Sequence, residues 1–139
     1  MMDELNINPV VLYVEDDPMS REVMKLLLTR RMKFDHVYIL EDSTDFMTHL
    51  LALPHKPDII FLDIHMEPMD GFGMLELIRA HPDYVKTPVV ALTASVMNEE
   101  VTLLRTKGFD GALAKPVDQR NFPDILKRLL SGEQIWRIT

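Results

Sequence analysis

Carboxylates cluster at one point near the start of the chain, where the apolar stretch Val10–Val14 runs directly into Glu15, Asp16 and Asp17. Neighbouring negative charges repel one another and make each further ionisation more costly. Such a cluster therefore favours a cationic partner, and carboxylate oxygens with waters are the ligand set of Mg²⁺. A bare phosphate would be repelled here, so an anion could enter only by coordinating the metal.

Three more polar residues stand at the ends of apolar runs, and together they suggest a reaction. Asp63 ends the most apolar run, a costly place for a carboxylate, and two further runs end in Thr93 and Lys115. A metal and an ammonium can neutralise phosphoryl charge. Ionised Asp63 is the predicted nucleophile, because carboxylates form acyl-phosphates. Asp17, which precedes Pro18, is interpreted as a helix cap.

The elements that position these residues alternate along the chain. Short apolar runs predict five strands, at Val10–Val14, Val37–Leu40, Asp58–Ile64, Pro88–Thr93 and Gly111–Ala114. An amphipathic helical pattern follows each strand. Gly71 and Gly73 are predicted to precede the third helix, and Asn121 to cap the fifth. The sequence thus predicts an α/β fold with a doubly wound parallel sheet. In the flavodoxin-like (βα)5 order 2-1-3-4-5, ligands bind where the first and third strands end.

Composition restricts the class of protein and its partners. The chain has 139 residues, of which 47% are apolar and 27% charged, as in a single globular domain. It has no cysteine, which suits a reducing cytoplasm. Its net charge of −7 argues against direct binding to nucleic acid or an anionic membrane. We predict one domain over residues 9–131 and a short tail over 132–139.

Four stretches, VLYVEDDP, IIFLDIHMEPMDG, VVALTAS and GALAKP, resemble the motifs of the receiver domain of bacterial two-component response regulators. The resemblance is to the single-domain, chemotaxis-regulator-like kind. It covers about residues 10–130. It implies that Asp63 is the phosphoacceptor. It also implies that Mg²⁺ (or Mn²⁺) is bound by Asp16 directly, by Glu15 through water, by Asp63 and by the backbone carbonyl of His65.

The resemblance assigns further roles around the acceptor. Thr93 is the implied switch hydroxyl, and Lys115 pairs with Asp63 before phosphorylation and with phosphoryl oxygens afterwards. Pro116 is expected to follow a cis peptide bond. The side chains of His65 and Ser95 stand at the two positions that tune the lifetime of the phosphoryl group.

Some positions depart from the family pattern. Ala112 stands where many members carry a Tyr or Phe that swings inward on activation, and a methyl group cannot act in this way. Pro68 is displaced by one residue in the loop after the acceptor. The tail contains an apolar cluster, Ile135, Trp136 and Ile138. It is expected to pack on the domain, with a dimer contact or a hook for a partner as alternatives.

The predicted function is that of a stand-alone cytoplasmic receiver. It would accept a phosphoryl group from a sensor histidine kinase or a histidine phosphotransfer protein, and signal to an unidentified downstream protein. A homodimer is possible, and no enzymatic activity is expected beyond the domain's own phosphorylation and dephosphorylation. The output surface is expected on the fourth helix, fifth strand and fifth helix, with exposed Glu99, Glu100, Thr102 and Leu103. The donor is expected beside Pro18, Met19 and Met24.

Two alternatives from the same family remain open, and the sequence argues against two from other classes. The domain could pass its phosphoryl group onward as a phosphorelay intermediate, or act as a receiver-like interaction module that is never phosphorylated. A phosphohydrolase of the haloacid-dehalogenase kind needs an acid two residues beyond the nucleophile, where this chain has His65. A flavin-binding electron carrier would not place carboxylates after the first strand.

Overall fold

The computed structural model describes residues 7–94 and 97–136, which form a parallel six-stranded sheet between two layers of helices. The strands are β1 (Val10–Val14), β2 (His36–Leu40), β3 (Ile59–Asp63), β4 (Val89–Thr93), β5 (Gly111–Ala114) and β6 (Ile135–Trp136). The helices are α1 (Pro18–Leu26, continued by a π-helical turn at Leu27–Arg31), α2 (Phe46–Leu51), α3 (Gly71–Ala80), α4 (Asn98–Lys107) and α5 (Phe122–Leu130). The order β2-β1-β3-β4-β5-β6 confirms the predicted fold and adds one strand.

The apolar runs are continuous because both faces of the sheet are covered. Side chains alternate along a strand, so Val11 and Tyr13 of β1 face α1 and α5, whereas Leu12 and Val14 face α2, α3 and α4. All five residues of β3 and all five of β4 are buried. This double burial, typical of central parallel strands, leaves polar side chains at the strand ends.

The start of α3 differs from the prediction. Gly71 and Gly73 lie inside its first turn, and Asp70 is the N-cap, accepting a hydrogen bond of 2.9 Å from the Gly73 amide. A Cβ at Gly71 would stand 2.7 Å from the Ile64 side chain, so glycine lets the helix begin close to β3. Asn121 occupies the predicted N-cap of α5 but makes no side-chain capping hydrogen bond.

Arg79 of α3 braces the end of the sheet that lies away from the polar strand ends. Its guanidinium donates to the Thr87 carbonyl and to the Asp110 carboxylate, both at 2.7 Å, and reaches the Gly108 carbonyl at 3.3 Å. Asp110 in turn accepts from the Val89 amide at 2.9 Å. One side chain therefore connects α3, the start of β4, the segment before β5 and the C-terminal end of α4.

The tail contributes the added strand. In the parallel pairing of β5 with β6, Gly111 lies opposite Ile135 and Ala112 opposite Trp136. A Cβ at Gly111 would stand 2.6 Å from the Ile135 carbonyl oxygen, so only glycine lets the two backbones approach this closely.

The indole of Trp136 packs against the apolar layer formed with α2, α3 and α4. The guanidinium carbon of Arg105, on α4, lies 4.8 Å from its ring centroid, a cation–π distance. The described part of the tail thus packs on the domain, whereas Ile138 lies outside the described residues. No helix among the described residues is both long enough and apolar enough to cross a membrane.

We expect Gly111→Ala to separate β6 from β5, because the added methyl group would collide with backbone that cannot rotate away. Tryptophan emission reports this directly, since Trp136 is the only tryptophan in the sequence, and it should shift to the red. Gly73→Ala is the matched control, because its Cβ would meet the movable side chain of Met69 at 2.6 Å, remote in sequence from β6. Unshifted emission from Gly111→Ala would contradict the expectation.

Candidate functional site

Four strand ends bring the predicted polar side chains to one edge of the sheet. Glu15 follows β1 and is fully buried, while Asp63 ends β3 and Thr93 ends β4, at 3% and 1% exposure. Lys115 follows β5, and its side chain is 19% exposed. Two carboxylates, a hydroxyl and an ammonium, all largely buried, therefore stand at the ends of neighbouring strands at this edge.

Lys115 pairs most closely with Glu15. Its ammonium lies 3.1 and 3.2 Å from the two Glu15 oxygens, and 3.5 Å from Oδ2 of Asp63. The resemblance implied Asp63 as its partner, and the ammonium forms an ion pair with Asp63 as well. Glu15 is the nearer one because its carboxylate is completely removed from water, where an unpaired negative charge is most costly. Burial lowers the pKa of Lys115, but its contacts with Glu15 raise it by more, so the ammonium stays charged.

Tyr13 is a site residue that the sequence analysis missed. Its hydroxyl donates to Oε1 of Glu15 at 2.7 Å, and the Asp17 amide donates to Oε2 at 3.2 Å. Burial raises the pKa of Tyr13 above its ordinary value and the Glu15 carboxylate raises it further, so the phenol remains a donor. The signal available in the sequence was the spacing, because Tyr13 and Glu15 are two residues apart and extended residues at this spacing point to the same face of the sheet.

The two buried carboxyl groups hold charge unequally. Burial raises the pKa of Asp63 to about 7, and hydrogen bonding with Glu15 and the negative charge of Glu15 raise it too. Burial also raises the pKa of Glu15, but hydrogen bonds with Tyr13 and Asp63, together with Lys115, lower it by more. Glu15 is thus the ionised member of the pair, and Asp63 needs further positive charge nearby to be a full carboxylate at neutral pH.

The same carboxylates can hold a cation. Oxygen atoms of Glu15, Asp16 and Asp63 all lie within 4.8 Å of one another. Glu15 already binds Tyr13 and Lys115, whereas Asp16 is exposed to solvent. The arrangement fits Mg²⁺, which takes one or two protein carboxylates and keeps several waters.

The residues of and before α1 agree with the sequence predictions in part. Asp17 is its N-cap, as interpreted from the sequence, and accepts from the Ser20 amide at 2.8 Å. Met19 is 71% exposed and available to a partner, but the prediction was wrong for Met24, which is 1% exposed. Met24 lies in the apolar layer with α5 because it falls on the sheet-facing side of α1.

The loop after β3 carries His65, whose amide lies 3.3 Å from Oδ1 of Asp63. Its imidazole is 68% exposed. The Lys115–Pro116 peptide is cis, as the resemblance implied, and the Glu67–Pro68 peptide is cis as well. Ser95 lies outside the described residues.

On α4, three of four residues predicted to be exposed are so: Glu99, Thr102 and Leu103. The prediction was wrong for Glu100, whose side chain is 19% exposed and lies 3.7 Å from the His65 imidazole. One residue step turns a helix by about 100°, so Glu100 faces the loop after β3 while Glu99 faces solvent.

The chain is similar in sequence to response regulators and to a segment of a histidine kinase. A family model described as the response regulator receiver domain matches residues 11–127. The response regulator Rcp1 of Synechocystis is 32% identical over 98% of this chain and 94% of its own length. The signal transduction histidine-protein kinase BarA of Escherichia coli is 30% identical over 96% of this chain, which spans only 14% of that kinase.

Solved structures share the architecture. The receiver domain of the sensor histidine kinase PA1611 from Pseudomonas aeruginosa, with magnesium in its active site cleft, superposes with a TM-score of 0.77. The superposition covers 90% of this chain and 99% of that one, and at 24% identity it shows the fold alone. The manganese-bound form of Rcp1 superposes with a TM-score of 0.69 at 26% identity, and the superposition covers 88% of this chain and 93% of that one.

Tyr13→Phe should destabilise the domain by roughly 1–2 kcal/mol, because it leaves the buried Glu15 carboxylate without one of its donors. Urea unfolding measures the change. Tyr38→Phe is the matched control, since the Tyr38 hydroxyl contacts the His55 ring at an exposed position on the outer strand β2. Equal losses in the two variants would contradict a special role for Tyr13.

Asp63→Asn should stabilise the domain, and the gain should depend on pH. The folded chain holds the Asp63 proton up to about pH 7, against an ordinary pKa of 3.8. Wild-type stability therefore falls as pH rises through that window, and the asparagine variant avoids this loss. We expect the free energy of unfolding of Asp63→Asn to exceed that of the wild type by roughly 1–3 kcal/mol at pH 8 and to be nearly equal to it at pH 4. Added Mg²⁺ should make the difference at pH 8 smaller. A gap that is constant with pH in thermal unfolding would refute this.

Proposed function

Because this chain belongs to the response regulator receiver domain family, we propose that Asp63 accepts a phosphoryl group from a phosphohistidine. The donor is a sensor histidine kinase or a histidine phosphotransfer protein. The observation that carries the proposal is a buried carboxyl group 3.5 Å from an ammonium and beside two further carboxylates. This arrangement gathers the nucleophile and the positive charge that phosphoryl transfer requires.

In the transfer, an oxygen of the Asp63 carboxylate forms a bond to phosphorus while the phosphorus–nitrogen bond of the donor breaks. The electron pair of that bond stays with the donor imidazole, which takes up a proton from solvent. Lys115 then pairs with the phosphoryl oxygens in addition to Glu15. Thr93, buried at the end of β4, turns its hydroxyl toward the new group. The chemistry is confined to the domain's own modification and its reversal.

The proposal includes a divalent cation, Mg²⁺ or Mn²⁺. Asp16 and Asp63 would bind it directly and Glu15 through water, and the backbone carbonyl of His65 would complete the protein ligands. When bound, the cation supplies positive charge that lowers the pKa of Asp63 and neutralises phosphoryl oxygens. Support comes from the magnesium in the PA1611 receiver, the manganese in Rcp1 and the carboxylate cluster of this chain.

The donor docks beside the start of α1. An apolar cavity there is lined by Met19, Val23, Pro116 and Val117, and Lys115 borders it. A helix that carries the phosphohistidine would cover this cavity and bring the phosphorus to Asp63. Exposed Met19 can adapt its shape to such a partner.

The acyl-phosphate signals by changing the surface of the domain. It adds about −1.5 to −2 charges at neutral pH, and the movement of Thr93 shifts the start of α4. Glu99, Thr102 and Leu103 of α4 form part of the surface that an unidentified downstream protein, or a second copy, recognises. The proposed receiver comprises residues 9–131, with 132–139 as its tail. We place it in the cytoplasm, without direct nucleic-acid or membrane binding.

A second candidate function is that of a phosphorelay intermediate. It is favoured by the match to a segment of the histidine-protein kinase BarA. Rapid return of the phosphoryl group to a histidine donor would distinguish this role from that of a terminal switch. A receiver-like module that is never phosphorylated is tested by the experiment below.

Incubation with acetyl phosphate and Mg²⁺ should add one phosphoryl group to the wild-type chain, as measured by intact mass. Asp63→Asn should remain unmodified, and removal of Mg²⁺ with a chelator should abolish or strongly slow the reaction. Asp58→Asn is the control, because Asp58 is an exposed aspartate at the other end of β3. An unmodified wild-type chain, or equal modification of Asp63→Asn, would refute the proposal.

A further inference from the structure

Glu100 and His65 form a contact across the rim of the proposed site. Oε2 of Glu100, in the first turn of α4, lies 3.7 Å from Nε2 of His65, in the loop after β3. The two side chains differ in burial, at 19% exposure for Glu100 and 68% for His65. An imidazole this exposed is not held by packing, so the carboxylate is the group that can fix its orientation.

The other oxygen of Glu100 adds an independent observation. Among the described residues, Oε1 of Glu100 is buried and has no hydrogen-bond partner. A buried acceptor without a donor costs free energy, and native structures usually satisfy it with a protein group or an ordered water. A carboxylate that faces inward at such a position suggests a function other than solubility, in contrast to the neighbouring Glu99, which is exposed.

Backbone geometry ties this pair to the acceptor. His65 follows Asp63 by two residues, and its amide lies 3.3 Å from Oδ1 of Asp63. This contact places the backbone of His65 beside the carboxyl group that would carry the phosphoryl group. Asp16, His65 and Glu67 line an open polar pocket at this edge, next to the carboxylate cluster.

We propose that Glu100 is a positioning residue for hydrolysis of the acyl-phosphate, acting through His65; this inference rests on the proposed function. Glu100 orients the imidazole with Nε2–H toward its carboxylate, which leaves Nδ1 to accept a hydrogen bond from the attacking water. The ring orients the water, and Glu100 acts through the ring.

In the step itself, the water oxygen forms a bond to phosphorus while the bond between phosphorus and the Asp63 oxygen breaks. The electron pair of that bond returns to Asp63 as its carboxylate. The protons of the water pass to the phosphate product and to solvent. Inorganic phosphate leaves, and the domain returns to its unmodified state.

The test is the decay of the phosphorylated chain. The protein is phosphorylated with acetyl phosphate and Mg²⁺, the reagent is removed, and intact mass is followed with time. We expect Glu100→Ala and His65→Ala each to slow hydrolysis by roughly three- to tenfold, and the double variant to be no slower than either, as for residues that act as one unit. Glu100→Gln keeps an acceptor oxygen and should restore part of the rate.

Glu76→Ala is the matched control, since it removes the same charge from an exposed helical position, on α3, and should leave the half-life unchanged. Partial rescue by Glu100→Gln separates positioning from a merely structural effect, and thermal unfolding verifies that each variant is folded. Wild-type decay in Glu100→Ala, faster decay, or additive effects would overturn the inference about Glu100 alone. No adduct on the wild-type chain would overturn the proposed function and this inference together.

Discussion

The ionised carboxylate of Glu15, buried beneath the end of the sheet, is the interaction on which the rest of the site depends. The Tyr13 hydroxyl and the Lys115 ammonium donate hydrogen bonds to its oxygens, and the lysine reaches it from the end of β5. Asp63 lies beside the negative charge of Glu15, which raises the pKa of Asp63 and opposes its ionisation until a cation is bound nearby. The proposed acceptor is therefore kept weakly nucleophilic by its neighbour, and a bound cation would raise its reactivity.

Sequence patterns predicted most of the fold because the strands carry strong signals. The bounds predicted for β1 and β5 agree with the structure, and the other three shared strands differ by one residue at one or both ends. Parallel strands buried on both faces leave continuous apolar runs that few other structures produce. The chemistry-bearing residues are found at strand ends for the same reason, since a polar group cannot remain inside such a run.

Features that depend on side-chain direction or on distant pairing could not be predicted in this way. Nothing in the local sequence distinguishes Glu99, which faces solvent, from Glu100, which faces His65. Tyr13 looked like one more apolar strand residue until the position of Glu15 gave its hydroxyl a partner. The pairing of β6 depends on a glycine more than twenty residues earlier, Gly111, whose missing side chain matters only once the tail lies beside it.

The hydrogen bonds of Arg79 restrain the C-terminal end of α4 more than its first turn. Its C-terminal end is tied through the Gly108 carbonyl to α3 and to the start of β4, while its first turn lies over the loop after β3. A displacement of α4 that starts at its first turn is then expected to be a pivot about Gly108 rather than a translation. For a helix of ten residues, about 15 Å long, a movement of roughly 2 Å at the free end is a rotation of about 8°. Arg105, near the pivot, would carry little of that movement to the Trp136 ring.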